Sequence, residues 1–282
     1  MKKLLIIYPH FPPSNLAGVH RPRLFAQHLP SFGWIPTVLT VHEDFYEERL
    51  DPDLLRLLPD NLRIEKVNAL PLTKPRIIGD LGLRAFFSLY KKAREMIRSE
   101  GFDFLLIPIP SFYTALLGRW LCSSTGIKYG IDYIDPWVHR FPGTDRLFSR
   151  HWWSTQIANL LEPIAVKKAA LITGVAKGYY ESVLERSPRL KKTAFTGAMP
   201  YGVEKGDMEK LYKTGKKPYL FQSGSKIRLV YAGAMLPKAF APLEEIMAEI
   251  AKNRKEFADI EFYFIAKTCN AFTTALIFSE VY

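Results

Sequence analysis

Six apolar runs rich in β-branched and aromatic residues recur along the first part of the chain: Lys3 to Tyr8, Ile35 to Val41, Leu62 to Val67, Asp103 to Pro108, Ile127 to Ile134 and Ala170 to Thr173. Helical patterns lie between most of them. This alternation constrains the fold more than any other feature. Strands that take turns with helices pair in parallel through right-handed crossovers, which predicts a doubly wound α/β domain. The first crossover helix has recognisable ends: Pro22 suits a first turn, Leu24, Phe25 and Leu29 recur at core-facing spacing, and Gly33 stops it.

At 282 residues and 48% hydrophobic, the chain can bury a large core, which excludes disorder as its main state. Cys122 and Cys269 form neither a CxxC pair nor a metal-ligand spacing, as expected of a cytoplasmic protein or of two buried apolar thiols. No metal site is expected. Met1 to Tyr8 begins with two lysines, but its apolar run stops at Tyr8-Pro9, so it reads as a strand rather than an export signal. The longest apolar stretch, Phe104 to Leu117, is interrupted by Pro108 and Pro110 and falls short of the roughly 20 residues that span a bilayer. A net charge of +11 favours anionic surfaces.

Residues 204–226 are polar with scattered Gly and Pro, a linker composition. Afterwards the βα pattern restarts. Ile227 to Ala232 reads as a buried strand, Pro242 to Lys255 as a helix and Asp259 to Ile265 as a second strand. The expected organisation is therefore a Rossmann-like domain over 1–203, a linker over 204–226, and over 227–282 a fragment of a second Rossmann-like domain. The stretch beyond Gly233 is short for such a domain, so a chain cut short is expected.

The loop leaving the first strand, Tyr8 to Pro22, stands where a doubly wound sheet binds its ligands. Gly18 there lets the backbone approach a ligand closely. An ordinary Pro-rich loop would read the same way. Asp135-Pro136-Trp137 comes directly after the fifth run. A carboxylate there can orient hydroxyls or stabilise an oxocarbenium-like transition state, or it can simply cap a helix with Pro136 at its first position. Trp137 can stack on a sugar or pack inside.

Several motifs together resemble family 4 glycosyltransferases of the GT-B fold. They are Phe11-Pro12-Pro13, Gly18-Val19, Arg21-Pro22, Leu29-Pro30, Phe32-Gly33-Trp34 and Pro36 to Thr40, then Ile131 to Trp137 with its Asp-Pro-Trp. Ile172 to Tyr179, Met199 to Glu204 and Ile227 to Gly233 continue the order. The resemblance implies a two-domain enzyme without a cofactor or metal. It moves a sugar with retention from a nucleotide-sugar donor to a glycan or lipid-linked acceptor, in cell-envelope polysaccharide synthesis. It implies Asp135 as the catalytic group, Gly18, Arg21, Trp137 and His139 on the acceptor side, and Gly233 and Lys238 on the donor side.

The pattern breaks after Gly233. Ala234 stands where the family has a basic residue, and no two glutamates lie eight apart anywhere in the chain. Beyond Phe262 to Ile265, the residues from Ala266 onward depart from the family's Gly-rich continuation. A frameshift or early stop would produce this, with an association-prone sheet edge. Two other readings stay open: an inactive acceptor-binding or interaction module, and one half of a split transferase.

Leu81 to Glu100 reads as one amphipathic helix, with Leu83, Phe86, Phe87, Tyr90 and Ile97 on one side and Arg84, Lys91, Arg94 and Arg98 on another. With Arg140, Arg146, Arg150, His151, Trp152 and Trp153 it suits peripheral contact with an anionic inner-membrane face, where each cation contributes about 1 kcal/mol. A core-facing helix with a solvated basic face fits the same pattern. No nucleic-acid motif accompanies these residues, so nucleic acid is not an expected partner.

Overall fold

The computed structural model describes residues 1–73, 79–138, 146–213, 215, 226–233, 240–267 and 273–278. The chain divides into two units, Met1–Lys210 and Leu211–Tyr282. In the first, strands β1 (Lys2–Ile7), β2 (Trp34–Val41), β3 (Arg63–Val67), β4 (Phe104–Ile109), β5 (Lys128–Tyr133), β6 (Leu171–Gly174) and β7 (Phe195–Ala198) form one sheet. Its order is β3-β2-β1-β4-β5-β6-β7, with every neighbouring pair parallel. The six predicted runs coincide with β1 to β6 to within one residue at each end.

The connecting helices are α1 (His20–His28), α2 (Leu81–Arg84), α3 (Phe86–Glu100), α4 (Ala115–Thr125), α5 (Arg150–Val166), α6 (Lys177–Arg186) and α7 (Leu190–Thr193). A further helix, α8 (Lys205–Lys213), comes after β7. Successive strand residues point to opposite faces, and here each face has its own core. Leu5 and Ile7 pack in the cluster that holds Leu89 and Met96 of α3 and Leu121 of α4. Leu4 and Ile6 pack with Ala26 of α1 and Val38. Covering both faces is why these strands read as continuous apolar runs rather than alternating ones.

Helix α1 departs from its predicted packing. Leu24, Phe25 and Leu29 are only half-buried, whereas Arg21, Pro22, Arg23 and Ala26 are buried. Gly33, at φ 82°, ends the 3-10 turn after the helix. The predicted helix over 81–100 is broken at Ala85 into α2 and α3. The buried stripe of α3 is Phe86, Leu89, Ala93, Met96 and Ile97, while Leu83 and Phe87 face outward, which splits the expected apolar side. Arg84, expected in solvent, is buried, because its guanidinium donates to the carbonyls of Leu70 (2.9 Å) and Phe45 (3.2 Å) and pairs with Glu47.

The second unit contains β8 (Ile227–Gly233), α9 (Phe240–Lys252), β9 (Ile260–Lys267) and β10 (Thr273–Phe278). β8 and β9 are parallel and β10 adds antiparallel to β9, a departure from βαβ continuation. Contrary to the expectation of a buried strand, Ile227, Leu229, Val230 and Tyr231 of β8 are exposed. Strand side chains alternate between two faces, and a single helix can cover one at most. β8 is also an edge of this sheet. The chain should therefore self-associate with rising concentration in sedimentation velocity, and Leu229→Lys with Val230→Lys should shift it towards monomer.

Candidate active site

In this strand order the connections from β1 and from β4 run in opposite directions, so a crevice opens outside their carboxyl ends. The loop from Tyr8 to Val19 forms one wall. It is held to the segment after β2 by Val41 N–H to Pro9 O (3.1 Å), Asp51 N–H to Pro13 O (2.7 Å) and Asn15 N–H to Arg49 O (3.3 Å). The Tyr46 hydroxyl accepts from Phe11 N–H at 3.0 Å.

That stitching brings Glu48 to two polar groups of the loop that lie more than thirty residues before it. His10 Nδ1 lies 2.7 Å from Glu48 Oε1, and Ser14 Oγ donates to the same oxygen. Burial pushes the Glu48 carboxyl up, but the bonds from His10 and Ser14 and the charge of His10 outweigh it and hold the group at about 2. An ionised carboxylate only accepts, so Nδ1 carries the proton and Nε2 remains the working nitrogen of the ring. This is an oriented imidazole, the arrangement of a general base.

Asp135 stands beyond the end of β5, exposed. Residues 134–138 make bends rather than a helical turn, so Asp135 and Pro136 do not cap a helix there. Tyr8 is buried, and burial first, then the neighbouring Tyr201, Asp135 and Glu48, raise its hydroxyl far above the usual range. It therefore stays a neutral donor. A Cβ on Gly18 would sit 2.3 Å from the Tyr8 hydroxyl, so the glycine is required by Tyr8 itself. Tyr201 is also raised, by burial first, with Arg21 opposing and Asp135 adding to it.

Arg21 is occupied. Its guanidinium makes a two-point pair with Asp132 of β5, one bond being Nη2 to Oδ1 at 2.8 Å, and donates from Nη1 to Met199 O at 2.6 Å. Thr173 of β6 donates to Asp132 Oδ1 at 2.6 Å. Arg21 is 4% exposed and Asp132 0%. The pair therefore holds α1 to β5, β6 and the end of β7. Trp137 is buried, stacked on Phe112 at 6.1 Å and met edge-on by Tyr113 at 6.0 Å, so its ring packs the floor behind Asp135. Glu162 of α5 accepts from Val138 N–H, the Tyr133 hydroxyl and Arg186, which anchors the same segment. Gly233 ends β8 opposite Ala266 in the second unit. His139 and Lys238 lie outside the described residues.

Sequence reading therefore missed His10, Ser14, Tyr46 and Glu48. The only signal available was a pair of polar residues inside an otherwise apolar and Pro-rich loop. Among the described residues, no group of three or more His, Cys, Asp or Glu could hold a metal ion, and no helix is long and apolar enough to cross a membrane.

No family model and no curated protein matches the chain in sequence. Solved structures do match in fold. A sucrose-phosphate synthase from Thermosynechococcus elongatus superposes with a TM-score of 0.51 at 13% identity, covering 95% of this chain and 71% of the synthase. Anabaena Alr3699/HepE in complex with UDP gives 0.49 at 12% identity over 94% and 69%. Phytolacca americana UGT2, complexed with UDP-2fluoro-glucose and pterostilbene, gives 0.48 at 12% identity over 84% and 61%. The chain thus spans 61% of the length of that last structure. The fold is of the GT-B type, with a doubly wound Rossmann-like first unit and a shorter second one.

Two measurements check this geometry. Arg21→Met leaves Asp132 buried without its partner and should destabilise the fold by about 3–5 kcal/mol in urea unfolding, with Asp132→Leu in the same chain restoring part of it. Glu48 has a folded value below the ordinary 4.5, so its contribution is complete above that value and drains as the pH falls towards 2. The stability gap between wild type and Glu48→Gln, about 1–3 kcal/mol at pH 7, should therefore shrink below pH 4.5.

Proposed function

We propose that the protein is a glycosyltransferase of the family 4 kind. Its first unit holds the acceptor, and a nucleotide-sugar is the donor. The observation that carries this is the pairing, in a GT-B-type sheet, of the oriented His10–Glu48 dyad beyond β1 with the exposed Asp135 beyond β5. An acceptor hydroxyl attacks the anomeric carbon while the bond to the nucleotide diphosphate breaks and the diphosphate leaves with the electron pair. With retention, the departing diphosphate oxygen takes the hydroxyl proton on the same face of the sugar, His10 Nε2 accepts a hydrogen bond from that hydroxyl and orients it, and Asp135 stabilises the positive charge that develops on the sugar ring.

The acceptor is a glycan or a lipid-linked sugar of cell-envelope polysaccharide synthesis, met at the cytoplasmic side of the membrane. In this reading 1–203 is the acceptor domain, 204–226 the linker and 227–282 a fragment of the donor domain, to which Gly233 and Lys238 are assigned as nucleotide-sugar contacts. The exposed apolar β8 favours a second reading for the isolated chain: an acceptor-binding module, or half of a transferase completed by another polypeptide.

Nucleotide release from a panel of nucleotide-sugars, with the chain alone and with the product of any downstream reading frame added, separates these readings. Asp135→Asn and His10→Asn should each lower kcat by about 10² or more without changing the circular dichroism spectrum. Proton NMR of the product then distinguishes two roles for His10: an inverted anomer supports direct deprotonation by it, and a retained one assigns it to binding. No turnover under either condition removes the transferase reading for this chain, and retained glycan binding would leave the module.

A further inference from the structure

We propose that the outer face of the α3–α4–α5 layer docks on an anionic lipid bilayer. The proposal does not rest on the transferase reading, because it uses none of the crevice residues. Helix α5 carries it. Trp153, Ile157, Leu160 and Ile164 recur at helical spacing and are all exposed, Leu160 at 69%. The opposite face, with Thr155, Ala158, Glu162, Ala165 and Val166, is buried. The helix is thus apolar outside as well as inside, whereas a helix that only covers a core turns polar residues outward. From Trp152 to Val166 the one acidic or basic residue is Glu162, and it is buried against Arg186.

The stripe continues onto the neighbouring helices. Trp120 of α4 and Phe87 of α3 are exposed, with ring centroids 6.4 Å apart. A shallow cleft of about 520 Å³ joins Tyr90 of α3, Arg119 and Trp120 of α4 and Ile164 of α5, with Ser123 and Ser124 at its side. Arg119 bonds Ser123 there, so a guanidinium and two hydroxyls converge at headgroup scale.

Charge identifies the partner. Lys91, Arg98, Arg119 and Arg150 are on these helices. The acids of the same layer are engaged elsewhere: Glu95 with Lys92, Glu100 with Arg63, Glu162 with Arg186. Exposed Trp and Phe on helices that also carry cations with no acidic partner among the described residues suit a negatively charged membrane interface.

The test uses the full chain and vesicles of phosphatidylcholine with or without about 30% phosphatidylglycerol, read by co-sedimentation. Binding is expected only with phosphatidylglycerol, weakening as salt rises. The variant Ile157→Asp/Leu160→Asp, at exposed positions, should lose about tenfold or more in partitioning, and Arg119→Glu should weaken binding to phosphatidylglycerol vesicles and flatten its salt dependence. Phe195→Asp, an exposed apolar position on β7, should bind as wild type does, and circular dichroism confirms that each variant is folded. No binding by wild type at low salt overturns the proposal, as does binding unchanged in the α5 variant. A wild-type dimer abolished by the same variant, without vesicle binding, assigns the face to a second copy and also overturns it.

Discussion

The buried pair of Arg21 and Asp132 fixes the geometry on which the crevice depends. A carboxylate on a central strand with no solvent access is tolerated only when its lone pairs are filled, and here Arg21 fills two positions and Thr173 a third. The guanidinium is sandwiched as well, 5.2 Å from the Phe25 ring and 5.7 Å from that of Tyr201. Because Arg21 begins α1 and also bonds Met199, one side chain sets both the start of the helix behind the Gly18 turn and the exit of the chain from β7. Arg23, two residues on, ties α1 to α8 through Asp207 at 2.6 Å. A segment whose composition reads as linker is therefore attached in part to the first unit.

The strands were legible because apolarity on both faces is a strong local signal. The Leu4/Ile6 and Leu5/Ile7 alternation between two cores leaves no polar position in the run. β7 was not legible, since Phe-Thr-Gly-Ala is short, lacks an apolar run and is mostly exposed at the sheet edge. The packing of α1 was misread for the opposite reason. Periodicity counts apolar residues, and the buried face of this helix is built on two arginines whose partners, Asp132 and Asp207, lie more than a hundred residues away. Nothing local announces such a pair. The break at Ala85 escaped similarly, because the Arg84 side chain is drawn inward by the carbonyls of Leu70 and Phe45.

The site divides along the same line. Gly18 and Asp135 were singled out by position, since strand carboxyl ends in an open α/β sheet line the crevice. Structure changes what Gly18 does: it makes room for the Tyr8 hydroxyl, which the backbone pattern cannot reveal. Arg21 came from the resemblance and Trp137 from its capacity to stack on a sugar, but Arg21 is paired with Asp132 and Trp137 packs on Phe112 and Tyr113. The dyad was invisible because His10 and Glu48 are separated by a whole crossover, and only the parallel pairing of β1 with β2 sets their loops side by side.

That pairing also explains why the candidate groups share one edge. In a fully parallel sheet every strand delivers its carboxyl end to the same side, so the residues after β1, β2 and β5 converge there without any further device. Convergence alone does not orient a proton acceptor. Orientation comes from Glu48, whose carboxylate is kept ionised by His10 and Ser14 and thereby fixes which nitrogen of the ring faces away from it. The sheet thus supplies position and the loop after β2 supplies direction. A substitution in that loop can release the His10 ring without moving any strand.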